Sequence, residues 1–362
     1  MNRTNQTLLG TLGALFTLCL ACFMCGKNLI NAEQGGDHYW THGCVTGDEA
    51  MLVVGGDEAA SIDLSTGAAL ETTPLFVEAV SCGAKAGVAY ASSEDAVRFP
   101  SGERGATDES STMDLVGTTR DGALVHFSRE TDGKGRPRKF ARAWQGAPGV
   151  AGEALELAPA LFGEVGSAHS PMPSAFINKV GNLLPDGRLV LAAGWIPNRS
   201  GDDVEAAPWG VFAIDLNAGE VTPLTGTLTC SPKLDTSLLW KVAASRDGQR
   251  VAAAFRGDGR TRVAVFEGEE ALFTAELTDA REPTALEFSP EGDRLAVATL
   301  DDSGGVGKLT WLDVATGAPA WTSGELAGTV HFLQHLSDGS LVFITSKRMV
   351  ARVGRDGVSR WK

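Results

Sequence analysis

Histidine and cysteine are the scarce chemistry-bearing residues of this chain, six of each among 362 residues. His42 and Cys44 stand two apart near the start of the folded region, and His331 and His335 stand four apart near its end. Imidazole and thiolate are ligands that zinc and copper favour, so these four would make a metal site if at least three converged at about 2.0–2.3 Å from one ion. The alternative is structural: separate histidines satisfied by solvent or backbone, with Cys44 bridged to Cys82. A second group lies in the run WIPNRSGDDVEAAPW at 195–209, where Trp195 and Trp209 flank Asp202 and Asp203. Aromatics and a few charges on a long loop suit recognition of a partner, because the scaffold beneath holds the contact surface in place. A basic group, Lys134, Arg136, Arg138, Lys139 and Arg142, follows Asp132-Gly133 and reads as a solvated hairpin tip or a contact for anionic lipid headgroups or an acidic partner. Asp301 and Asp302 precede Ser303-Gly304-Gly305 without the spacing of an EF-hand. Nucleophile-elbow, H-E-x-x-H, Walker and dinucleotide-binding patterns are absent from the sequence, as are adjacent cysteines. This reading assigns no catalytic residue and no cofactor.

Such scattered residues meet only if the fold brings distant segments together, and the chain carries a repeat that would do so. LLPDGRLVLAAG (183–194), ASRDGQRVAAAF (244–255), FSPEGDRLAVAT (288–299) and LSDGSLVFIT (336–345) each place a glycine turn between two apolar strands. Glycine supplies the positive φ of a tight turn, and the alternation after it puts apolar side chains on at least one sheet face. Weaker copies at Gly47, Gly87 and Gly122 bring the turns to seven, about 45 residues apart, the period of a four-stranded blade. A second turn recurs later in the repeat as Asp63-Leu64-Ser65-Thr66-Gly67, Asp215-Leu216-Asn217-Ala218-Gly219 and Asp313-Val314-Ala315-Thr316-Gly317. There the aspartate and threonine side chains can bond the turn backbone, which fits a hairpin between outer strands. The expected architecture is all-β: a β-propeller over 37–362, with seven four-stranded blades, six or eight remaining open because 95–180 is hard to phase. A strand from 37–46 is expected to pair with the last blade and close the ring, and the insertion at 147–175 to place a short helix over one face.

FSPEGDRLAVAT followed by WLDVATGAPAW resembles the WD-repeat-like and quinoprotein-like propeller repeats of bacterial envelope proteins. Asp313, Thr316, Gly317 and Trp321 match the quinoprotein-like form, which implies that Trp321 docks between neighbouring blades. The resemblance also implies that the strand before each glycine turn is innermost. His331 and His335, His42 and Cys44, and Cys82 would then lie on the inner strands of three adjacent blades.

Residues 1–36 read as a signal peptide or membrane anchor plus linker. Residues 8–25 are one apolar block between Arg3 and Lys27, near the lower limit of a spanning helix and longer than an ordinary cleaved signal. Leu20-Ala21-Cys22 resembles the end of a bacterial lipoprotein box, which implies acylation of Cys22. Retention, lipidation and cleavage near Ala32 all place the propeller in the cell envelope. With 45 acidic against 31 basic residues and a net charge of -14, the overall charge opposes non-specific binding of nucleic acid, and no nucleic-acid partner is expected. The expected function is a non-catalytic, envelope-tethered module that binds or scaffolds a protein partner. The alternative is a hydrolase, lyase or ligand sensor with a site at the channel mouth.

Overall fold

The computed structural model describes residues 42–47, 50–55, 58–74, 79–82, 87–91, 95–99, 104–106, 113–118, 124–131, 137–146, 155–156, 169–173, 182–184, 188–197, 207–215, 218–225, 228–230, 241–257, 260–277, 280, 282–301 and 305–357. Side chains are described chiefly within 43–72, 210–225 and 241–357.

Short apolar runs separated by glycine turns form antiparallel sheets, each built from one stretch of chain. Sheet 1 is β1 (His42–Thr46), β2 (Ala50–Gly55), β3 (Glu58–Asp63) and β4 (Ala69–Pro74). Sheet 2 is β5 (Ala79–Cys82), β6 (Gly87–Ala91), β7 (Asp95–Phe99) and β8 (Arg104–Ala106). Sheet 3 is β9 (Met113–Thr118), β10 (Leu124–Thr131), β11 (Pro137–Gly146) and β12 (Leu155–Glu156). Sheet 4 has β13 (His169–Pro173), β14 (Asn182–Leu183), β15 (Leu189–Pro197), β16 (Ala207–Asp215), β17 (Glu220–Pro223) and β18 (Leu228–Cys230). Sheet 5 is β19 (Lys241–Ala244), β20 (Arg250–Gly257), β21 (Arg260–Glu267) and β22 (Glu270–Leu277). Sheet 6 has β23 (Glu282–Phe288), β24 (Arg294–Leu300), β25 (Val306–Asp313), β26 (Pro319–Thr322) and β27 (Leu326–Ala327), and sheet 7 has β28 (Val330–His335), β29 (Leu341–Thr345) and β30 (Val350–Val353). In the 147–175 insertion the described residues are strand, not helix: β12 completes sheet 3 against β11, and β13 pairs with β15. Gly87 opens β6 and is not itself the turn.

The sheets stand side by side in chain order. β1 packs against β5, β5 against β9, β9 against β14, β14 against β19, β19 against β23, β23 against β28, and β28 against β1. The core therefore lies between sheets. One cluster joins Val265 and Val263 of sheet 5 to Leu295, Val297 and Leu312 of sheet 6. Another joins Ala296, Leu309 and Trp311 of sheet 6 to Leu333, Leu341 and Phe343 of sheet 7, and a third joins Val342 and Ile344 of sheet 7 to Met51, Val53 and Ile62 of sheet 1. Middle strands such as β24 and β29 have neighbours on both faces, so consecutive apolar side chains are buried, from Leu295 to Ala298 in β24 and from Leu341 to Ile344 in β29.

The outer-strand turns form as their composition dictates. The Asp63 carboxylate accepts from Ser65 N at 2.7 Å and Thr66 N at 2.8 Å, and these bonds with the Ser65 hydroxyl hold it down at about 2. Asp313 accepts from Thr316 N at 2.9 Å, and Gly317 has φ 70°. Gly317 lies so close to Phe273 of sheet 5 that a Cβ there would sit 2.6 Å from that ring; Gly357 of sheet 7 is approached in the same way by Trp321 of sheet 6. Trp321 thus lodges between sheets 6 and 7, its ring 5.0 Å from Trp311.

Of the 37–46 segment expected to close the ring, 37–41 lie outside the described residues; its described part, β1, pairs with β2 as the first strand of its own sheet. Side chains also join sheet 7 to sheet 1. Gln334 Oε1 accepts from Val45 N at 3.2 Å, Arg348 pairs with Glu58, and Arg352 Nη1 donates to Leu64 O at 2.8 Å. Arginine also links earlier sheets: Arg250 Nη1 donates to Gly292 O at 2.9 Å and Arg294 Nη1 to Arg355 O at 2.8 Å. Arg352 is used further, since Nε also reaches Ser340 Oγ at 2.9 Å and Nη2 reaches Asp338 at 2.6 Å. Arg352→Ala is expected to lower stability by about 1–2 kcal/mol, with Arg352→Lys recovering little because an ammonium lacks the planar fork. Urea unfolding measures both, and an unchanged midpoint for the alanine variant would refute the linking role.

Candidate functional site

The inner strands hold the groups whose chemistry the fold alters most. β23 and β28 are neighbours, and Glu287 and Gln334 are the second-last residues of these strands, each five before the turn glycine and so at equivalent places in the repeat. Gln334 accepts the backbone N–H of Val45 on the next inner strand, and Glu287 accepts the backbone N–H of His335 on its next inner strand. One side-chain oxygen does the same work at both seams. Glu287 keeps a partly accessible edge, yet protein surrounds its carboxyl; that burial pushes it up to about 8 against the His335 N–H bond, which favours the charged form. The shift favours the protonated, uncharged carboxyl, which resembles the amide of Gln334.

His335 answers across the same seam. Burial lowers its imidazole to about 4, while a ring bond to the Phe288 carbonyl and the nearby Asp293 carboxylate pull the other way. Arg355 and Arg294 add positive charge, which also disfavours imidazolium. Its Nδ1 is buried without a hydrogen-bond partner. Asp293 is tied to Arg355, and Ser289 Oγ donates to it at 2.8 Å. The seam thus combines a protonated acid with a neutral base, each bonded to the other strand's backbone.

The sequence reading placed His42, Cys44, Cys82, His331 and His335 on three adjacent inner strands, and the structure does so: β28 and β5 both pack against β1. Cys44 is buried and disulfide-bonded, so its sulfur is not available as a thiolate. His331 and His335 are half-buried, the latter engaged with sheet 6. The side chains of His42 and Cys82 lie outside the described residues, as does Cys22. Among the described residues no group of three or more histidine, cysteine or acidic side chains is placed to hold a metal ion.

Trp195 and Trp209 fall on β15 and β16, while Asp202 and Asp203 lie outside the described residues. Those two strands are nine residues each, and their hairpin is flanked twice. Near the inner turn β14 pairs with β15 and β17 with β16; toward the far end β13 takes over along 193–197 and β18 along 207–209. The tryptophans sit in that second tier, Trp195 level with Pro171 and Trp209 with Leu228. Of the basic group, Arg138, Lys139 and Arg142 lie on β11, so it extends from the hairpin tip into a strand. Asp301 accepts from Val306 N at 3.3 Å, a turn-holding bond.

Glu287 and Gln334 escaped the sequence reading because an acid in a strand resembles a solvent-facing residue. The signal was their shared offset from the glycine turn.

No family model matches the chain, and no curated protein matches it. Solved structures do. The β-propeller domain of Cps50 (Swd1) from Myceliophteria thermophila aligns at 10% identity over 86% of this chain and 94% of its own, with a TM-score of 0.55. The Dos1 propeller aligns at 10% identity over 88% of this chain and 81% of its own, with a TM-score of 0.47. The sheet order and the first of these likenesses agree on the architecture: the chain folds as a β-propeller.

Proposed function

We propose that this β-propeller is a non-catalytic protein-binding or scaffolding module that recognises its partner through the extended hairpin of sheet 4. The braced second tier of that hairpin carries the reading. Strands flanked on both sides beyond the body of the sheet fix the backbone that carries Trp195 and Trp209, which lowers the ordering cost of those two positions on binding. Trp195 and Trp209 at the base of the loop supply the residue type that dominates binding energy at interfaces, with Asp202 and Asp203 for polar contacts. The reading takes the seven sheets as seven blades, supported by the unbroken order of inner-strand contacts from β1 round to β28 and back.

The same proposal places the module in a bacterial envelope. Its support is the apolar block at 8–25, which serves either as a retained anchor or, after cleavage before Cys22, leaves that cysteine as an acylated tether. The Asp313, Thr316, Gly317 and Trp321 arrangement supports a kinship with quinoprotein-like repeats.

Cross-linked affinity capture of the native protein from membranes, compared with a Trp195→Ala/Trp209→Ala variant, tests the binding site. A specific partner is expected to fall by roughly tenfold or more, the size of losing one aromatic hot spot, at unchanged melting temperature. An identical set of captured proteins would overturn the assignment.

A further inference from the structure

We infer that Cys44 is joined to Cys82 and that this bridge is a redox latch on β1, the strand at which the ring closes. Cys44 is disulfide-bonded and buried. A disulfide needs Cα atoms about 4.4–6.8 Å apart, a separation found only between packed neighbours. β1 packs against β2, β5, β6 and β28, and of these β5 carries a cysteine, Cys82. Cys230 sits on β18 in sheet 4, paired with β16.

The position of the bridge gives it a task. β1 has a ladder with β2 on one edge, and its link to sheet 7 is by side chains, with Gln334 bonded to Val45, the residue after Cys44. A covalent tie to sheet 2 holds β1 from the side opposite Gln334. Reduction by a dithiol breaks the S–S bond, gives two protein thiols and converts the reductant to its own disulfide, with two electrons and two protons transferred. β1 then rests on β2 and on packing, and the Gln334 seam loosens with it.

Digestion under non-oxidising, non-reducing conditions and mass spectrometry is expected to recover a Cys44–Cys82 linked peptide; a Cys44–Cys230 link would overturn the pairing. Hydrogen exchange on the intact chain before and after dithiothreitol tests the latch. Residues 42–46 and 330–335 are expected to exchange roughly tenfold faster after reduction, with 284–300 unchanged. No change, or an equal rise everywhere, would overturn it. Cys82→Ser should show the reduced pattern without reductant and Cys230→Ser the native one. Should Cys82→Ser fail to fold, reduction of the folded wild-type chain still decides.

Discussion

Glu287→Gln is expected to abolish a loss of stability that the wild-type protein shows between pH 6.5 and 8. The folded carboxyl titrates at about 8 against an ordinary 4.5, so between those values the folded chain keeps a proton that the unfolded chain has released. Stability must then fall as pH rises, by up to about 1.4 kcal/mol per pH unit for this one group. His335 has the opposite sign. Its folded value of about 4 lies below 6.5, so stability gained by keeping it neutral grows as pH rises between the two and is complete above 6.5. The slopes oppose each other from about 4.5 to 6.5, giving a plateau, and of these two groups Glu287 alone contributes from 6.5 to 8, where roughly 2 kcal/mol is at stake. A glutamine removes the titration and keeps the acceptor for His335 N, as Gln334 does for Val45. Thermal melts across pH 5 to 9 read the difference; parallel profiles for the two proteins would refute it. The lowered aspartates Asp247, Asp293 and Asp338 act elsewhere, since their contribution is present above their ordinary 3.8 and lost only below it.

Trp311→Ala should produce the largest single loss, about 3–5 kcal/mol, because it removes the bulkiest side chain from a seam that cannot collapse. Trp311 is 1% exposed, packs among Leu309, Leu333 and Phe343, and stacks at a tilt of 48° on Trp321. The Arg294 guanidinium lies 5.5 Å from its ring centre, so that cation loses a partner too. Trp311→Phe should cost much less. The indole Nε1 is buried without a hydrogen-bond partner, and phenylalanine dispenses with that polar atom while keeping an aromatic ring. Guanidinium unfolding distinguishes them. A loss below about 1 kcal/mol for the alanine variant would mean that sheets 6 and 7 do not depend on this contact.

The architecture was legible where local chemistry decides. Gly248, Gly292 and Gly339 have φ of 70°, 69° and 77°, and the Asp63 and Asp313 turns fold on their own side chains. Both are short-range effects that a one-dimensional pattern carries intact. The side-chain links of sheet 7 to sheet 1 through Gln334, Arg348 and Arg352 were not legible, because they rest on partners nearly three hundred residues away. The same holds for Arg250 and Arg294, which look like ordinary surface charges until the next turn supplies a carbonyl. Placement of the cysteines and histidines followed from the repeat, but their chemical state did not. Protonation and oxidation depend on what surrounds a group in three dimensions, as Glu287 and Cys44 show.

Since each sheet among the described residues is drawn from a single run of chain, with none completed by strands from both ends, the segments are transplantable units. New termini cut into a connection such as the one between β22 and β23 would leave every ladder whole, and sheets 6 and 7 could lead a rearranged gene while keeping their own registers.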